Sequence, residues 1–408
     1  MEAPLTGSLC RDNDMVYLDN SATTRQYDEV TELMCKAARE NFGNPSSLHA
    51  LGFEAGNLLY DARRQIADLL PPAGNVIFTS GGTESDNMAL LSSARKLRRR
   101  GKKIITTKVE HPAVLETCKR LKEDGFEIVY LDVDVDGYVE EQVLKAALDE
   151  NTIIVSIMAV NNETGTIEPI VPVGRTIRDY NRQHGTDIIF HTDAVQAFGK
   201  LALDDLDADL ISASGHKFHG PKGVGFLYMK KRHNLPALIT GGGQEGGFRS
   251  STENTPGIAG MGLAAEMSCN DLMMKTSRIG MVNNYLLSGL RNEISDIIVN
   301  GPEELGYTLH DHGKRCPSVL NVTFEGTRGE VLLHTLEQDG IYVSTGSACS
   351  SNKTGDSHVL QAMSMTHKEI EGALRFSFSE FNTVEEMDFV IDRTKTAVER
   401  FRRLGSFR

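Results

Sequence analysis

Residues 187–228 read DIIFHTDAVQAFGKLALDDLDADLISASGHKFHGPKGVGFLY and contain three short apolar runs, IIF, LI and VGFLY. Apolar runs this short, bounded by turn residues, are typical of buried strands in a largely parallel sheet. The first run ends close to Asp193 and the second close to Lys217. In open α/β sheets, ligands bind at the carboxyl ends of the strands, so we expect Asp193 and Lys217 to converge on one ligand.

A lysine at such a strand end indicates Schiff-base chemistry. A carboxylate beside a pyridine nitrogen keeps that nitrogen protonated and makes the ring an electron sink, so Asp193 and Lys217 together indicate pyridoxal phosphate (PLP). The alternative is an exposed lysine that follows a strand, with Asp193 as the N-cap of a helix. For a single lysine this alternative is favoured. The PLP interpretation becomes preferable only when the rest of the chain is considered.

The composition of the 408-residue chain is that of a soluble globular protein, with 40% hydrophobic and 24% charged residues. The net charge of −13 argues against nucleic acid or an anionic membrane surface as the main partner. No apolar run approaches the roughly 20 residues that span a bilayer. The first residues lack the basic start and apolar block of a signal peptide, so we expect a cytoplasmic protein. The six cysteines are scattered without a CxxC pair, which argues against a disulfide framework and a local metal site.

Short apolar, β-branched runs alternate with helical patterns between residues 76 and 228. This alternation predicts βα units that build a mostly parallel sheet with helices on both faces. Five polar clusters follow the predicted strands, and they contain Gly82 and Thr83; His111; Asn162; Asp193 and Gln196; and Ser214, His216 and Lys217. Because all five fall at strand ends, the pattern favours a shared ligand over an exposed lysine.

Each cluster also has a purely structural interpretation. Gly82 and Thr83 stand where a strand runs into a helix, which is the form of a phosphate cradle, but Thr83 and Asp86 are also spaced as a capping box. His111 is a candidate for stacking on a planar cofactor or for proton transfer, although its local sequence favours a residue at the start of a helix. Asn162 could bind a ring hydroxyl or a carboxylate, or simply form a turn. The local sequence leaves these alternatives open.

The C-terminal part of the chain has a different organisation. A glycine-rich segment at residues 241–254 is followed by a long helical stretch over 258–294, and then by short strands that alternate with helices. We therefore expect a large PLP-binding domain at residues 16–265 and a smaller domain built from residues 1–15 and 266–408.

Two residues of the smaller domain are candidates for chemistry. Cys349 lies in STGSACSSNKTG, and such a small, polar, glycine-containing segment predicts an exposed mobile loop. A thiol there is a candidate nucleophile, and the alternative is an incidental surface cysteine. Arg375 lies in a predicted strand and is a candidate to bind a substrate carboxylate through two hydrogen bonds. A solvated charge at a strand edge is an equally good interpretation of Arg375.

Ten motifs, in order along the chain, resemble those of one known family. They are YLDNSATT, FGNPSS, FTSGGTESDN, EHPAV, NNETG, HTDAVQAFGK, SGHKFHGPKGVG, GGGQEGGFRSSTEN, SACSS and RFS. They resemble the cysteine desulfurases, which are class-V aminotransferases of PLP fold type I and have the selenocysteine lyases as close relatives. The resemblance covers residues 16–379. It implies an α/β fold with a large domain, whose mixed, mostly parallel sheet is flanked by helices, and a smaller α+β domain.

The resemblance also implies a role for each strand-end residue. The implied cofactor-binding residues are Gly82, Thr83, His111, Asn162, Asp193, Gln196, Ser214, His216, Lys217 and Thr252. Among them, Lys217 forms the Schiff base, Asp193 pairs with the pyridine nitrogen and His111 stacks on the ring. Gln196 reaches the ring hydroxyl, and the residues from the Gly82 and Ser214 clusters hold the phosphate. Thr252 completes the phosphate site of a neighbouring subunit, which implies a homodimer with composite active sites.

The implied reaction converts L-cysteine to L-alanine. Asn162 and Arg375 hold the substrate carboxylate, Lys217 removes the α-proton, and His111 handles the proton of the substrate thiol. Cys349 takes the sulfur as a persulfide and delivers it to a sulfur-acceptor protein, which suits iron–sulfur cluster or thio-cofactor biosynthesis. Two alternatives stay open: a selenocysteine lyase, and a non-catalytic PLP-fold scaffold within a sulfur-transfer complex.

Overall fold

A computed structural model of the chain describes residues 15–345 and 355–405. The strands are β1 (Val16–Tyr17), β2 (Gly74–Thr79), β3 (Lys103–Thr107), β4 (Glu127–Leu131), β5 (Thr152–Ser156), β6 (Ile189–Asp193), β7 (Leu210–Ser214), β8 (Gly225–Lys230), β9 (Ile297–Val299), β10 (Val319–Phe324), β11 (Ile341–Tyr342) and β12 (Ala373–Ser377). The α-helices are α1 (Asp28–Glu40), α2 (Ala50–Ala67), α3 (Gly82–Leu97), α4 (Pro112–Glu123), α5 (Glu141–Ala147), α6 (Ile170–His184), α7 (Thr255–Cys269), α8 (Leu272–Glu293), α9 (Gly329–Gln338), α10 (His358–Ala362), α11 (His367–Glu371) and α12 (Val384–Gly405). Two short 3₁₀ helices are Gly215–Lys217 and Glu245–Gly247.

The large sheet has seven strands in the order β2-β8-β7-β6-β5-β3-β4. β8 is antiparallel to both of its neighbours, β2 and β7, and the other neighbouring pairs are parallel. Strands β3, β5, β6 and β7 are buried along their whole length, as expected for strands covered by helices on both faces. The prediction of a mostly parallel, mixed sheet is confirmed.

Alternate side chains of the central strands enter two different cores. Ile154 and Ile189 pack with residues of α3 and α4 on one face. Val155 and Phe190, the next residues along the same strands, pack with residues of α2, α6 and α7 on the other face. The two-residue period of a strand therefore fixes the register of β5 against β6, because a slip by one residue would exchange the two cores.

The carboxyl ends of β2, β6 and β7 lie along one edge of this sheet. β8 runs antiparallel between β2 and β7, so Thr79 and Ser214, the last residues of those strands, both pair with Gly225. A Cβ at Gly225 would lie 2.6 Å from the carbonyl oxygen of Ala213 and 2.7 Å from the Cα of Gly81, so only glycine allows this approach. The result is a shared edge formed by the start of α3 and the ends of β6 and β7.

A second core lies outside the large sheet. β9, β10 and β12 form an antiparallel sheet, and β1 pairs in parallel with β11. Their apolar side chains pack with residues of α8, α9 and α12, and Leu18 is buried among them. The domain boundaries predicted at residues 16 and 266 stay a prediction.

The helical stretch predicted over residues 258–294 is divided into two helices, α7 and α8. The break falls at Asn270 and Asp271, and Asp271 has a left-handed backbone with a φ of 52°. Aspartate tolerates this conformation, but a right-handed helix cannot continue through it. α7 packs on α1 and α2, whereas α8 packs on α12, so the break marks the passage from one core to the other.

Candidate active site

A cavity of about 220 Å³ opens at the carboxyl edge of the large sheet. Ten of the predicted site residues line it: Gly82, Thr83, His111, Asn162, Asp193, Gln196, Ser214, His216, Lys217 and Arg375. Thr252 is exposed and is not among the lining residues. Cys349 lies outside the described residues. The structure thus brings together most of the predicted residues, although they are widely separated in the sequence.

Lys217 ends the 3₁₀ helix that follows β7. Its Nζ donates hydrogen bonds to the carbonyl oxygens of Ser21 (2.5 Å) and Ala22 (2.8 Å). Both of these residues also line the cavity, and the sequence analysis assigned them no role. A signal was present, because the polar run DNSATT follows β1 in the same way that other polar clusters follow their strands.

Asp193 is the last residue of β6, and its carboxyl group is buried. Burial raises the pKa of Asp193 to about 6, while a hydrogen bond from the backbone N–H of Val195 (2.9 Å) and the charge of Lys217 act in the opposite direction. No α-helix of the described chain begins at Asp193, so its interpretation as a helix N-cap is not supported. A buried carboxylate and a lysine amine therefore face one cavity.

The start of α3 has the form of an anion site. The N-cap is Gly81, which makes no side-chain capping bond, and Thr83 lies inside the helix, so the capping box of Thr83 and Asp86 is not formed. A Cβ at Gly82 would lie 2.7 Å from Cγ2 of Val195, so only glycine fits here. The first N–H groups of a helix lack intrahelical partners and attract anions. These features favour the phosphate-cradle interpretation.

The two histidines of the cavity are neutral at neutral pH. Burial lowers the pKa of His111 to about 4, and the charge of Lys217 adds to the effect. Burial and Lys217 likewise lower the pKa of His216 to about 4. Nδ1 of His111 accepts a hydrogen bond from the backbone N–H of Ala113 (3.1 Å), so the ring proton lies on Nε2. His111 is the N-cap of α4 and also lines the cavity, which makes both of its interpretations compatible.

Asp86 is a cavity residue that the sequence analysis considered only as part of a cap. It is 1% exposed, and burial together with the charge of Asp193 raises the pKa of its carboxyl group well above the ordinary value. Within residues 15–345 and 355–405, its Oδ1 has no hydrogen-bond partner. Asp86, His111 and Asp193 each offer one atom that could bind a metal ion, and these three atoms lie within 4.8 Å of one another. The charge of Lys217 beside two of them disfavours a metal cation in this position.

Arg375 joins the second core to this cavity. It lies on β12, is 3% exposed, and donates from Nη2 to Asp19 Oδ1 (2.9 Å) and from Nη1 to the carbonyl oxygen of Asn162 (2.9 Å). Burial excludes the interpretation of Arg375 as a solvated charge. Its backbone pairs with Ser344, shortly before the segment that contains Cys349. A guanidinium is therefore held at the side of the cavity where that segment begins.

Glu110, next to His111, is fully buried, and no role was predicted for it from the sequence. Its Oε1 accepts hydrogen bonds from Thr107 Oγ1 (2.9 Å) and from the backbone N–H of Met158 (3.0 Å). Burial nevertheless raises the pKa of Glu110 from 4.5 to about 8. Between these values the folded protein keeps a proton that the unfolded chain has released. The contribution of Glu110 to stability therefore falls as the pH rises through this window.

We expect Glu110→Gln to flatten the pH dependence of the free energy of unfolding between about pH 5 and pH 8. Glutamine keeps the carbonyl oxygen that accepts both hydrogen bonds, and it never ionises. The measurement is urea unfolding of the cofactor-free protein at several pH values, with the exposed Glu123→Gln as the matched control. Parallel pH curves for the wild type and Glu110→Gln would show that Glu110 is already ionised in the folded protein.

Comparisons with known proteins agree with this geometry. Residues 16–390 match the family described as Aminotransferase class-V. The chain is 42% identical over 396 residues to a protein of Dictyoglomus turgidum named cysteine desulfurase IscS, with 96% of this chain and 97% of that protein covered. It is 43% identical over 399 residues to a protein of Methanosarcina thermophila with the same name, with 97% and 94% covered.

Solved structures give the same result. A NifS-like protein superposes with a TM-score of 0.85 at 39% identity, over 94% of this chain and 99% of that one. SspA in complex with cysteine superposes with a TM-score of 0.76 at 33% identity, over 90% and 99%. No helix of residues 15–345 and 355–405 is long and apolar enough to cross a bilayer. The chain belongs to the class-V aminotransferase family, and within it to the cysteine desulfurases.

Proposed function

We propose that this protein is a PLP-dependent cysteine desulfurase, which converts L-cysteine to L-alanine and passes the sulfur to Cys349. The observation that carries the proposal is the single cavity shared by Lys217, Asp193 and the glycine-lined start of α3. Relatives with that name match the chain over nearly its whole length, which supports the same assignment.

The residues of the cavity fit PLP. The N-terminus of α3, with Thr83 and nearby Ser214 and His216, suits a phosphate, and Gly82 leaves the space that a Cβ would fill. The buried carboxylate of Asp193 suits a protonated ring nitrogen. Lys217 would tether the cofactor, His111 would stack on the ring and Gln196 would bind its hydroxyl. When bound, PLP supplies an electron sink for a carbanion at the amino-acid α-carbon.

Arg375 and Asn162 are proposed to bind the substrate carboxylate. A guanidinium matches a carboxylate through two parallel hydrogen bonds, and Nη2 of Arg375 already donates one hydrogen bond to the carboxylate of Asp19. Within residues 15–345 and 355–405, Nε of Arg375 is buried without a hydrogen-bond partner. The substrate carboxylate is proposed to bind the guanidinium of Arg375. This contact would fix the amino acid with its α-carbon toward Lys217.

Lys217 and His111 are proposed to handle the protons. The carbonyl oxygens of Ser21 and Ala22 hold Nζ of Lys217 at the cavity, where it can accept the α-proton. His111 is neutral and carries its proton on Nε2, so it is suited to exchange a proton with the substrate thiol. The thiolate of Cys349 then bonds to the substrate sulfur as the carbon–sulfur bond breaks. The electron pair stays with the substrate carbon, which is protonated to give alanine.

The described residues on either side of Cys349 support its role as the sulfur-accepting thiol. On one side, Ser344 pairs with Arg375. On the other, Ser357 Oγ donates to Glu163 Oε2 (2.5 Å), next to Asn162 in the sequence. Ser344 is therefore paired with a residue that lines the cavity. Ser357 contacts Glu163, which directly follows another cavity-lining residue in the sequence. A thiol carried between these two anchors is proposed to reach the substrate sulfur.

We further propose a homodimer in the cytoplasm, with Thr252 of each subunit completing the phosphate site of the other. The segment that carries Thr252 is held by Glu245, which binds Arg63 through two hydrogen bonds, while Thr252 itself is exposed. Large apolar side chains are exposed between the end of α1 and the middle of α2, namely Phe42, Leu48, Phe53 and Tyr60. Exposed apolar surface of this kind is typical of a subunit interface. A sulfur-acceptor protein is the expected further partner, and nucleic acid and membranes are not expected.

The test of the proposed function is the visible spectrum of the purified protein with PLP, followed by an assay of alanine and sulfide from L-cysteine with a thiol reductant. A PLP absorbance band and equal amounts of alanine and sulfide are expected. Colourless protein without turnover would support a non-catalytic scaffold. Turnover of selenocysteine alone would identify a selenocysteine lyase.

We expect Arg375→Lys to raise the KM for L-cysteine by about tenfold or more, with a smaller change in kcat. Lysine keeps the positive charge but cannot donate two parallel hydrogen bonds to a carboxylate. The PLP absorbance band should not change, because no cofactor contact is assigned to Arg375. The control is Arg100→Lys at an exposed ion pair with Asp187. An unchanged KM in Arg375→Lys would remove Arg375 from the substrate site.

A further inference from the structure

Lys200 is a buried cation close to the cavity, and none of the roles above uses it. It is 9% exposed, and its Nζ donates a hydrogen bond to Oε1 of Gln196 (2.7 Å). Burial lowers the pKa of Lys200 to about 8, and the charges of Lys217 and Arg375 add to this effect. Lys200 is therefore mainly protonated at neutral pH, although burial of a lysine is unfavourable unless its charge is used.

The hydrogen bonds around Gln196 have only one consistent arrangement. An ammonium group can only donate, so the side-chain oxygen of Gln196 must face Lys200. A carbonyl oxygen can only accept, so the NH₂ group of Gln196 must face the carbonyl of Ser21, at 2.9 Å. The same carbonyl accepts a hydrogen bond from Nζ of Lys217 (2.5 Å). Lys200 is thus linked to Lys217 through Gln196 and Ser21.

We propose that Lys200 is a positioning residue for the cofactor site, which fixes the amide of Gln196 with its NH₂ group available to the cavity. The inference rests on the proposed function, because Gln196 is assigned to the ring hydroxyl of PLP. Without Lys200, Gln196 would lose one of the two contacts that distinguish its oxygen from its nitrogen, and only the carbonyl of Ser21 would still hold its NH₂ group. The amide could then present its oxygen to the cavity, where it would repel a ring oxygen. The same loss would remove a positive charge near the ring hydroxyl.

The test is a double-mutant cycle read out by the dissociation constant of PLP, measured by titration of the cofactor-free protein. Lys200→Met should weaken PLP binding by about tenfold, since a charged donor is lost, and should shift the visible absorbance maximum of bound PLP. Lys200→Arg, which keeps a charged donor, should stay within about threefold of the wild type. Gln196→Ala should weaken binding as well. The double variant should be weaker than Gln196→Ala by no more than about twofold, because Lys200 acts through Gln196.

Two results would overturn the inference. The first is a double variant whose defect equals the product of the two single defects, since Lys200 would then act independently of Gln196. The second is a lower melting temperature for Lys200→Met with unchanged PLP affinity and absorbance maximum, which is the result of a purely structural role. If Lys200→Met does not fold, Lys200→Gln takes its place in the same cycle. Failure of the proposed function is distinguishable, because the wild type itself would then not bind PLP.

Discussion

Replacing Lys217 with alanine is expected to reduce alanine formation from L-cysteine by at least about a thousandfold, because a positioned general base contributes on the order of 10²–10⁴-fold. Among the described residues that line the cavity, Lys217 carries the one primary amine. The same variant loses the cofactor tether, so the lysine-linked PLP absorbance band should disappear. The measurements are the visible spectrum of the variant with PLP and its rate of alanine production.

The loss should be specific to this amine. Lys231→Ala changes an exposed lysine one residue after β8, and it is expected to keep both the absorbance band and the rate. An added small primary amine should restore part of the Lys217→Ala rate, since the shortened side chain leaves room beside the carbonyls of Ser21 and Ala22. A Lys217→Ala protein that kept the band and turned over within tenfold of the wild type would refute the assignment of Lys217.

The convergence of Asp193 and Lys217 could be predicted because parallel strands have their carboxyl ends at one edge, so a polar residue after one strand lies near a polar residue after the next. The argument also requires the two strands to be neighbours in the sheet, which consecutive strands usually are. It accounts for Gly82 and Ser214 in the same way, since β2 and β7 run in the same direction on either side of β8.

The argument could not place Ser21, because β1 belongs to a different sheet and reaches the cavity only through tertiary packing. Asp86 was missed for a local reason, since a carboxylate in the first turns of a helix is usually exposed, whereas this one is buried under the sheet edge. Lys200 follows a glycine, and its sequence context is that of an ordinary surface residue. Its burial depends on α7 and α8, and Thr276 of α8 donates a hydrogen bond to its carbonyl oxygen. The sequence therefore could not predict which polar residues are buried beside the cavity, because that burial depends on tertiary packing.

Replacing Cys349 with alanine is expected to reduce alanine and sulfide formation from L-cysteine by at least about a thousandfold, as expected for loss of a catalytic nucleophile. The PLP absorbance band should stay intact, because none of the cofactor contacts assigned here comes from the segment that contains Cys349. This separation of the absorbance band from sulfur transfer distinguishes Cys349 from Lys217, whose loss should remove both the lysine-linked band and turnover. Cys349→Ser should behave like Cys349→Ala, since an alcohol is a much weaker nucleophile toward sulfur than a thiolate.

Cys35→Ala provides the control, because Cys35 is an exposed thiol that lies on α1 and is not among the cavity-lining residues. It should keep the wild-type rate. Mass spectrometry of the wild type after exposure to L-cysteine should show one added sulfur atom on the peptide that contains Cys349.

Selenocysteine offers a further distinction, because selenide is a better leaving group and its release depends less on a protein thiol. Cys349→Ala should therefore retain more activity on selenocysteine than on cysteine. If Cys349→Ala desulfurated cysteine at the wild-type rate, the sulfur would have to leave without a nucleophile from this segment, and the pairing of Ser344 with Arg375 would need another explanation.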